Sequence, residues 1–135
     1  MDEETLIFLK PSALKRGLVG EILSRFERKG LEIVKLELIN MSREKAERFY
    51  AVHKSKPFFE NLLNVVGGER IVTAVLKGEN AVRVVRKMIG TTDPAEAEAG
   101  TVRGDYGLDV TDNLIHASDS FESYLYEVKI LFPKK

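Results

Sequence analysis

Thr5-Leu6-Ile7-Phe8-Leu9-Lys10-Pro11 is the stretch on which the fold turns. The run is apolar without alternation, too short for a helix, and stopped by Pro11. Such a run reads as a strand covered on both faces, and therefore central in its sheet. Lys10 stands where that strand ends, so its ammonium emerges at a sheet edge.

Outward from this strand, Val19, Ile22, Leu23 and Phe26 follow the i, i+3, i+4, i+7 spacing of an amphipathic helix, and Gly30 supplies its left-handed stop. Residues 31–39 alternate, with Val34, Leu36 and Leu38 on one face and Lys35 and Glu37 on the other, predicting a strand with one solvated face. Ser42 is the N-cap expected for a helix whose stripe is Ala46, Phe49, Tyr50 and His53. Pro57 ends that segment. Phe58, Phe59, Leu62, Leu63, Val65 and Val66 predict a further short helix, closed by Gly67-Gly68. Residues 70–76 form a third, largely buried strand. A helix follows with Ala81, Val84, Val85 and Met88 inward, Arg83, Arg86 and Lys87 outward, and Gly90 at its end.

From Gly90 to about Asp112 no period persists, and a loop of that length inside a compact domain is usually functional. Val102, Tyr106, Leu108 and Val110 are apolar enough to tie it down. A short strand around Leu114 to His116 comes next. Asp119 and Glu122 have capping-box spacing, ahead of a helix with the stripe Phe121, Tyr124, Leu125 and Val128. Ile130, Leu131 and Phe132 complete the core before a two-lysine tail. The order of elements predicts a single α+β domain over residues 1–135, a ferredoxin-like sandwich. One layer of helices would cover a mainly antiparallel four-stranded sheet.

The chain has 135 residues, with 21 Lys plus Arg against 21 Asp plus Glu. This balance argues against general nucleic-acid binding, which needs surplus cations to displace counterions. It leaves room for a local basic pocket that takes one phosphorylated small molecule. With no cysteine there are no disulfides or thiolate metal sites, which fits a cytoplasmic location. The acidic start Met1-Asp2-Glu3-Glu4 lacks the features of a signal peptide, and no apolar run approaches a membrane span.

Chemistry-bearing residues gather at the ends of these elements. Lys10 ends a central strand, Arg86 lies on the open face of a helix, Thr92 and Arg103 lie in the long loop, and His116 ends the last strand. Arginine forks, a threonine hydroxyl and a lysine suit phosphate oxygens, and a histidine among them is placed to accept a phosphoryl group. Read separately, each has a plainer role: Arg86 as a solvated helix face, Thr92 as turn chemistry before Asp93-Pro94, His116 as a partly buried ring with one hydrogen bond. No Gly-x-x-x-x-Gly-Lys-Ser/Thr loop is present, so a nucleotide would be held in another way.

Asn113-Leu114-Ile115-His116-Ala117-Ser118-Asp119 resembles the active-site signature of nucleoside diphosphate kinases. Leu9-Lys10-Pro11, Arg16 to Ile22, Arg25 to Gly30, Lys56 to Phe59, Gly90 to Pro94 and Gly100 to Asp105 extend the resemblance from about Thr5 to Phe132. The resemblance implies a phosphotransferase working by a ping-pong mechanism. A nucleoside triphosphate, typically ATP, gives its γ-phosphoryl group to Nδ1 of His116, and the phosphohistidine gives it to a nucleoside diphosphate. Glu127 and Ser118 would orient the imidazole, and Lys10 would join them and His116 among the catalytic residues. Lys10, Arg86, Thr92, Arg103 and Asn113 would hold phosphates and sugar hydroxyls, with Tyr50 lining the phosphate site. Phe58 and Val110 would pinch the base, with Leu62 behind, a contact that accepts any flat base.

Mg²⁺ is the implied cofactor, carried by phosphates and water rather than by protein ligands. Nucleoside tri- and diphosphates are the implied partners, without membrane or specific nucleic acid. The implied assembly is a homo-oligomer, hexamer or tetramer. Ser12, Gly68-Glu69-Arg70 and Ala99 depart from the family's usual pattern, and the chain ends without the C-terminal extension of many relatives. The other reading that the fold class permits is a non-catalytic nucleotide- or RNA-binding module. Against it stand the neutral charge and the absence of an aromatic RNA-binding strand motif.

Overall fold

The computed structural model describes residues 2–133. Residues 1, 134 and 135, which the expected single domain and lysine tail include, lie outside the described residues. The elements run β1 (Asp2–Leu9), α1 (Pro11–Lys15), α2 (Val19–Lys29), β2 (Glu32–Met41), α3 (Arg43–Phe49), α4 (Phe59–Val66), β3 (Glu69–Glu79), α5 (Ala81–Ile89), α6 (Val102–Tyr106), β4 (Ile115–Ala117) and α7 (Phe121–Leu131). A 3₁₀ turn at Ala51–His53 links α3 to α4. The four strands form one sheet in the order β2-β3-β1-β4, with every neighbouring pair antiparallel. This is the ferredoxin-like arrangement expected from the element order.

β1 is central, and Leu6, Ile7, Phe8 and Leu9 are all fully buried. Its side chains alternate between two cores. Ile7 and Leu9 enter one with Ile22 and Phe26 of α2 and Ala81, Val85 and Ile89 of α5. Leu6 and Phe8 enter the other with Phe49 of α3, Leu63 and Val66 of α4, and Tyr124, Ile130 and Leu131 of α7. Helices therefore cover both faces, not one. A strand that is apolar throughout leaves two faces to remove from water, and a single helical layer removes only one.

Other expectations are corrected in detail. β2 is an edge strand, and Val34, Leu36 and Leu38 remain 39%, 50% and 51% exposed instead of facing a core. Leu36 and Leu38 pair with Ala74 and Val72, so they extend the face of the first core past the helices that cover it. Pro11 not only stops β1 but opens α1. The long loop contains α6, whose five residues are too few to show a period. Thr101 caps α6, its Oγ1 accepting from the Gly104 N–H at 3.0 Å.

In α7 the buried face is Tyr124, Glu127, Ile130 and Leu131, while Phe121 and Leu125 are each 44% exposed. Both stripes have helical spacing, and choosing the right one means accepting a buried carboxylate, which hydropathy penalises. The cap is Ser120, whose Oγ accepts from the Ser123 N–H at 3.0 Å. Asp119 instead accepts from the Ser123 hydroxyl at 2.6 Å, and Glu122 closes no capping box. Ser42 and Gly30 act as predicted: Ser42 accepts from the Lys45 N–H, and Gly30 ends α2 at φ 105°.

Candidate active site

β4 lies beside β1 with His116 opposite Phe8, which puts the imidazole on the face of the second core. The ring stacks on Phe8 at 5.1 Å and 21° between planes, and meets Phe49 edge-on at 4.9 Å and Tyr50 at 6.5 Å. Three aromatic contacts fix the plane of the ring before any polar group acts on it. Glu127, buried on the inward face of α7, then selects the nitrogen. Its Oε1 lies 3.0 Å from Nε2 and also accepts the Ser118 hydroxyl at 2.7 Å. A carboxylate at Nε2 places the proton there in the neutral ring and leaves the lone pair on Nδ1. Among the described residues, no hydrogen bond reaches Nδ1.

Cations surround this ring through the backbone of β4. Arg103 donates from Nη2 to the Ile115 carbonyl at 2.7 Å and from Nη1 to the Gly90 carbonyl at 2.9 Å. Arg86 reaches the Ala117 carbonyl from its Nη1 at 3.4 Å. The carbonyls on either side of His116 thus each face a guanidinium. Arg103 is 5% exposed, has no acidic partner among the described residues, and keeps a buried Nε without a hydrogen bond. Burial, with Arg86 nearby, pushes its pKa down to about 10, so it stays charged at neutral pH. A buried cation facing only carbonyls and another cation is a site that an anion completes.

α6 brings Arg103 here because Gly104 permits a close backbone approach: a Cβ at that position would lie 1.9 Å from the Glu98 carbonyl oxygen. α6 is held to α2 by Arg25, which pairs with Asp105 at 2.8 Å and with Glu21 at 2.7 Å.

Lys10 approaches from the end of β1. Its Nζ donates to Asn113 Oδ1 at 2.9 Å and to the Thr111 carbonyl at 3.0 Å, and Asn113 Nδ2 donates to the Thr92 carbonyl at 2.7 Å. Leu114 turns the chain in a left-handed conformation, φ 77°, and its carbonyl accepts from the Lys10 N–H at 2.8 Å. A buried leucine in that region is strained backbone held by its surroundings. Burial pushes the Lys10 ammonium down to about 8; Arg103 adds to this, and Asp112 and Asp109 oppose it.

The hydrogen bonds therefore join Lys10, Asn113 and the Thr92 backbone into one group, and His116, Ser118 and Glu127 into another, with Arg86 and Arg103 attached to β4. Tyr50 is 5% exposed, and burial first, then the Glu127 charge, pushes its phenol pKa up. From Tyr50 a row of rings leads outward through His53 at 6.5 Å to Phe58 at 5.3 Å further on. His53 is half-buried in this row. Phe58 and Val110 are 44% and 52% exposed, Leu62 is half-buried, and Phe59 turns to the core. Sequence reasoning missed Phe8 and Phe49, which hold the imidazole. The available signals were period two, which sets Phe8 and Lys10 on one side of the strand, and the place of Phe49 beside Tyr50.

Comparison with known proteins agrees with this geometry. The family model for nucleoside diphosphate kinase matches residues 3–135. A nucleoside diphosphate kinase of Methanocaldococcus jannaschii is 54% identical over 132 residues, covering 98% of this chain and 94% of the relative. One of Hyperthermus butylicus is 54% identical over 130 residues, with 96% and 92% covered. Among solved structures, the Aquifex aeolicus nucleoside diphosphate kinase superposes with a TM-score of 0.95 at 42% identity, covering 98% of this chain and 96% of that one. A halophilic nucleoside diphosphate kinase from Halobacterium salinarum in complex with CDP superposes at 0.94 with 38% identity, covering 99% and 90%. Matched along nearly its whole length in sequence and in fold, the chain belongs to the nucleoside diphosphate kinase family, enzymes that move a γ-phosphoryl group from a nucleoside triphosphate to a nucleoside diphosphate.

Proposed function

We propose that His116 is the phosphoryl carrier of this kinase. Nδ1 attacks the γ-phosphorus of a nucleoside triphosphate, typically ATP; the N–P bond forms as the bond to the β-phosphate oxygen breaks, and the diphosphate leaves. A second nucleoside diphosphate then attacks the phosphohistidine through its terminal oxygen, and Nδ1 regains its lone pair. One pocket serves both nucleotides, which gives ping-pong kinetics. The observation that carries the reading is the 3.0 Å contact between Glu127 and Nε2, since a carboxylate there favours the tautomer with its lone pair on the other nitrogen. Ser118 steadies Glu127, and the carboxylate stabilises the ring as charge develops on it.

Arg103 and Arg86 face the transferring group, Lys10 and Asn113 the inner phosphates and sugar, with Thr92 and Tyr50 at the rim. Phe58 and Val110, with Leu62 behind, take the base. The CDP of the Halobacterium complex supports this choice of ligand class. Mg²⁺ is the divalent cation that the family implies; it would be carried on the nucleotide by phosphates and water, where it would offset phosphate charge.

Incubation with γ-labelled ATP tests the reading. Label should enter the protein, survive base, be lost in acid and pass to GDP. An unlabelled wild-type protein, or a His116→Ala variant labelled as well as wild type, would sink it. Glu127→Gln should lower the labelling rate roughly 10- to 100-fold by loosening the ring's orientation.

The same proposal makes the enzyme a single-domain, cytoplasmic homo-oligomer, a hexamer or tetramer. Support for assembly comes from β2, an edge strand with Leu36 and Leu38 half exposed, a surface that a second copy would cover. No helix among the described residues is long and apolar enough to cross a membrane. Light scattering should give a multiple of the monomer mass that falls in Leu36→Lys; an unchanged mass in that variant removes β2 from the contact.

A further inference from the structure

The loop that supplies the Lys10 acceptors is curled on itself. Asp109 Oδ1 accepts from the backbone N–H groups of Thr111 at 2.7 Å and Asp112 at 3.2 Å. Thr111 and Asn113 then turn their oxygens to the ammonium at 3.0 and 2.9 Å. Asp112, between them, does not join them. Its Oδ1 accepts the Ser12 hydroxyl at 2.6 Å, in the first turn of α1 and two residues past Lys10.

The arrangement is unexpected on charge alone. A carboxylate whose field reaches a buried ammonium favours its charged form, and a direct contact would favour it further. Yet among the described residues Lys10 forms no salt bridge, and its hydrogen bonds go to neutral acceptors. A direct pair would neutralise the ammonium and compete with an incoming phosphate oxygen for the same donor. Held aside, the carboxylate still lends its field to the buried cation without occupying it.

Resting on the reading of Lys10 as a phosphate-binding cation, we propose that Ser12 and Asp112 form a positioning pair for Lys10: the hydroxyl keeps the carboxylate turned from the ammonium and ties the 109–113 loop to α1. The titratable and charged groups that face Lys10 are Asp112 and Asp109 on the loop and Arg103 on α6. The first two favour its charged form, and Arg103 and burial oppose it.

Two variants separate the tether from the charge. Asp112→Asn keeps an acceptor for Ser12 and removes the charge. Lys10 then loses its proton at lower pH, so the basic limb of kcat/KM moves to lower pH while the rate near pH 6.5 stays within about threefold of wild type. Ser12→Ala keeps the charge and frees the carboxylate to pair with Lys10, raising KM for the nucleoside diphosphate about tenfold with kcat little changed and the basic limb not moved down.

Thermal melts confirm that each variant is folded; if Ser12→Ala melts early, the pH limb of the isosteric Asp112→Asn decides. A uniform loss at every pH in both variants, the mark of a merely structural contact, overturns the inference, as does wild-type behaviour in both. Phosphorylation of wild-type His116 is measured alongside. Its absence would overturn the reading of the site itself, whereas a labelled wild type with unmoved variants overturns only the role of the pair.

Discussion

The two groups of cations that gather at β4, one around Lys10 and one around Arg103, solve opposite electrostatic problems. In the first, Lys10 is buried among neutral oxygens with Asp109 and Asp112 close enough to support its charge. In the second, Arg103 is buried with Arg86 as its charged neighbour, two backbone carbonyls as acceptors and one Nε unpaired. Lysine is a point charge whose proton depends on its setting, so it needs carboxylates nearby; a guanidinium keeps its charge without them. The difference teaches how each cation keeps its charge without a contacting carboxylate: Lys10 draws on the field of two acids held aside, and Arg103 on the guanidinium's own basicity.

Removing Arg103 is the strongest way to break that contrast. Arg103→Ala should reduce kcat by roughly 100- to 1,000-fold, because the group proposed to face the transferring phosphoryl is lost. Steady-state kinetics check this, and unchanged turnover would take Arg103 out of the site. The variant also strands the Ile115 and Gly90 carbonyls, so the melt should show about 1–3 kcal/mol of lost stability.

In the lysine group the effect should be smaller. Asn113→Ala removes the Lys10 acceptor and the link to the Thr92 backbone, and should lower kcat/KM about tenfold, mostly through KM. A fall as deep as that of Arg103→Ala would abolish the distinction between the groups.

The pH dependence sharpens it further. Lys10 has a folded-state pKa of about 8, below the ordinary lysine value of 10.5. Activity that needs the ammonium should fall as pH rises through about 8. Stability should move the other way. Between these two values the unfolded chain binds more protons than the folded one at this residue, so the Lys10 contribution to stability rises with pH there. Below pH 8 both states are charged and the contribution is flat. Parallel rate and denaturation profiles check the opposing trends, and in Lys10→Met the rising stability segment should be missing.

The smallest effect should come from the cap that seats Arg103. Thr101→Ala removes the acceptor for the Gly104 N–H and should cost about 1 kcal/mol in a denaturant titration. The rate should fall far less than in Arg103→Ala, since Arg25 still holds α6 through Asp105.

Much of this site was legible in the order of residues. The apolar run of β1 predicted a central strand, Lys10 at its end and His116 at the end of another predicted a meeting place, and the glycine-punctuated loop predicted a functional segment. α6 was not legible because five residues show no period. Phe8 and Phe49 were not, because their contact with His116 joins three distant parts of the chain. The true stripe of α7 was hidden because its central member is Glu127, a buried carboxylate whose stability comes from His116 and Ser118 rather than from its own hydropathy.

By itself, then, the sequence determined the class of fold and the chemistry. Periodicity reports which residues leave water, and the histidine signature, carried in continuous segments, resembles that of a family whose reaction is known. Tertiary structure alone decided that helices cover both faces, that β2 leaves Leu36 and Leu38 uncovered, and that Phe8 and Phe49 hold the His116 ring. It alone also turned Asp112 to Ser12 instead of Lys10. Each of these depends on which surfaces meet across the sheet, and no local pattern of side chains encodes a contact between residues a hundred positions apart.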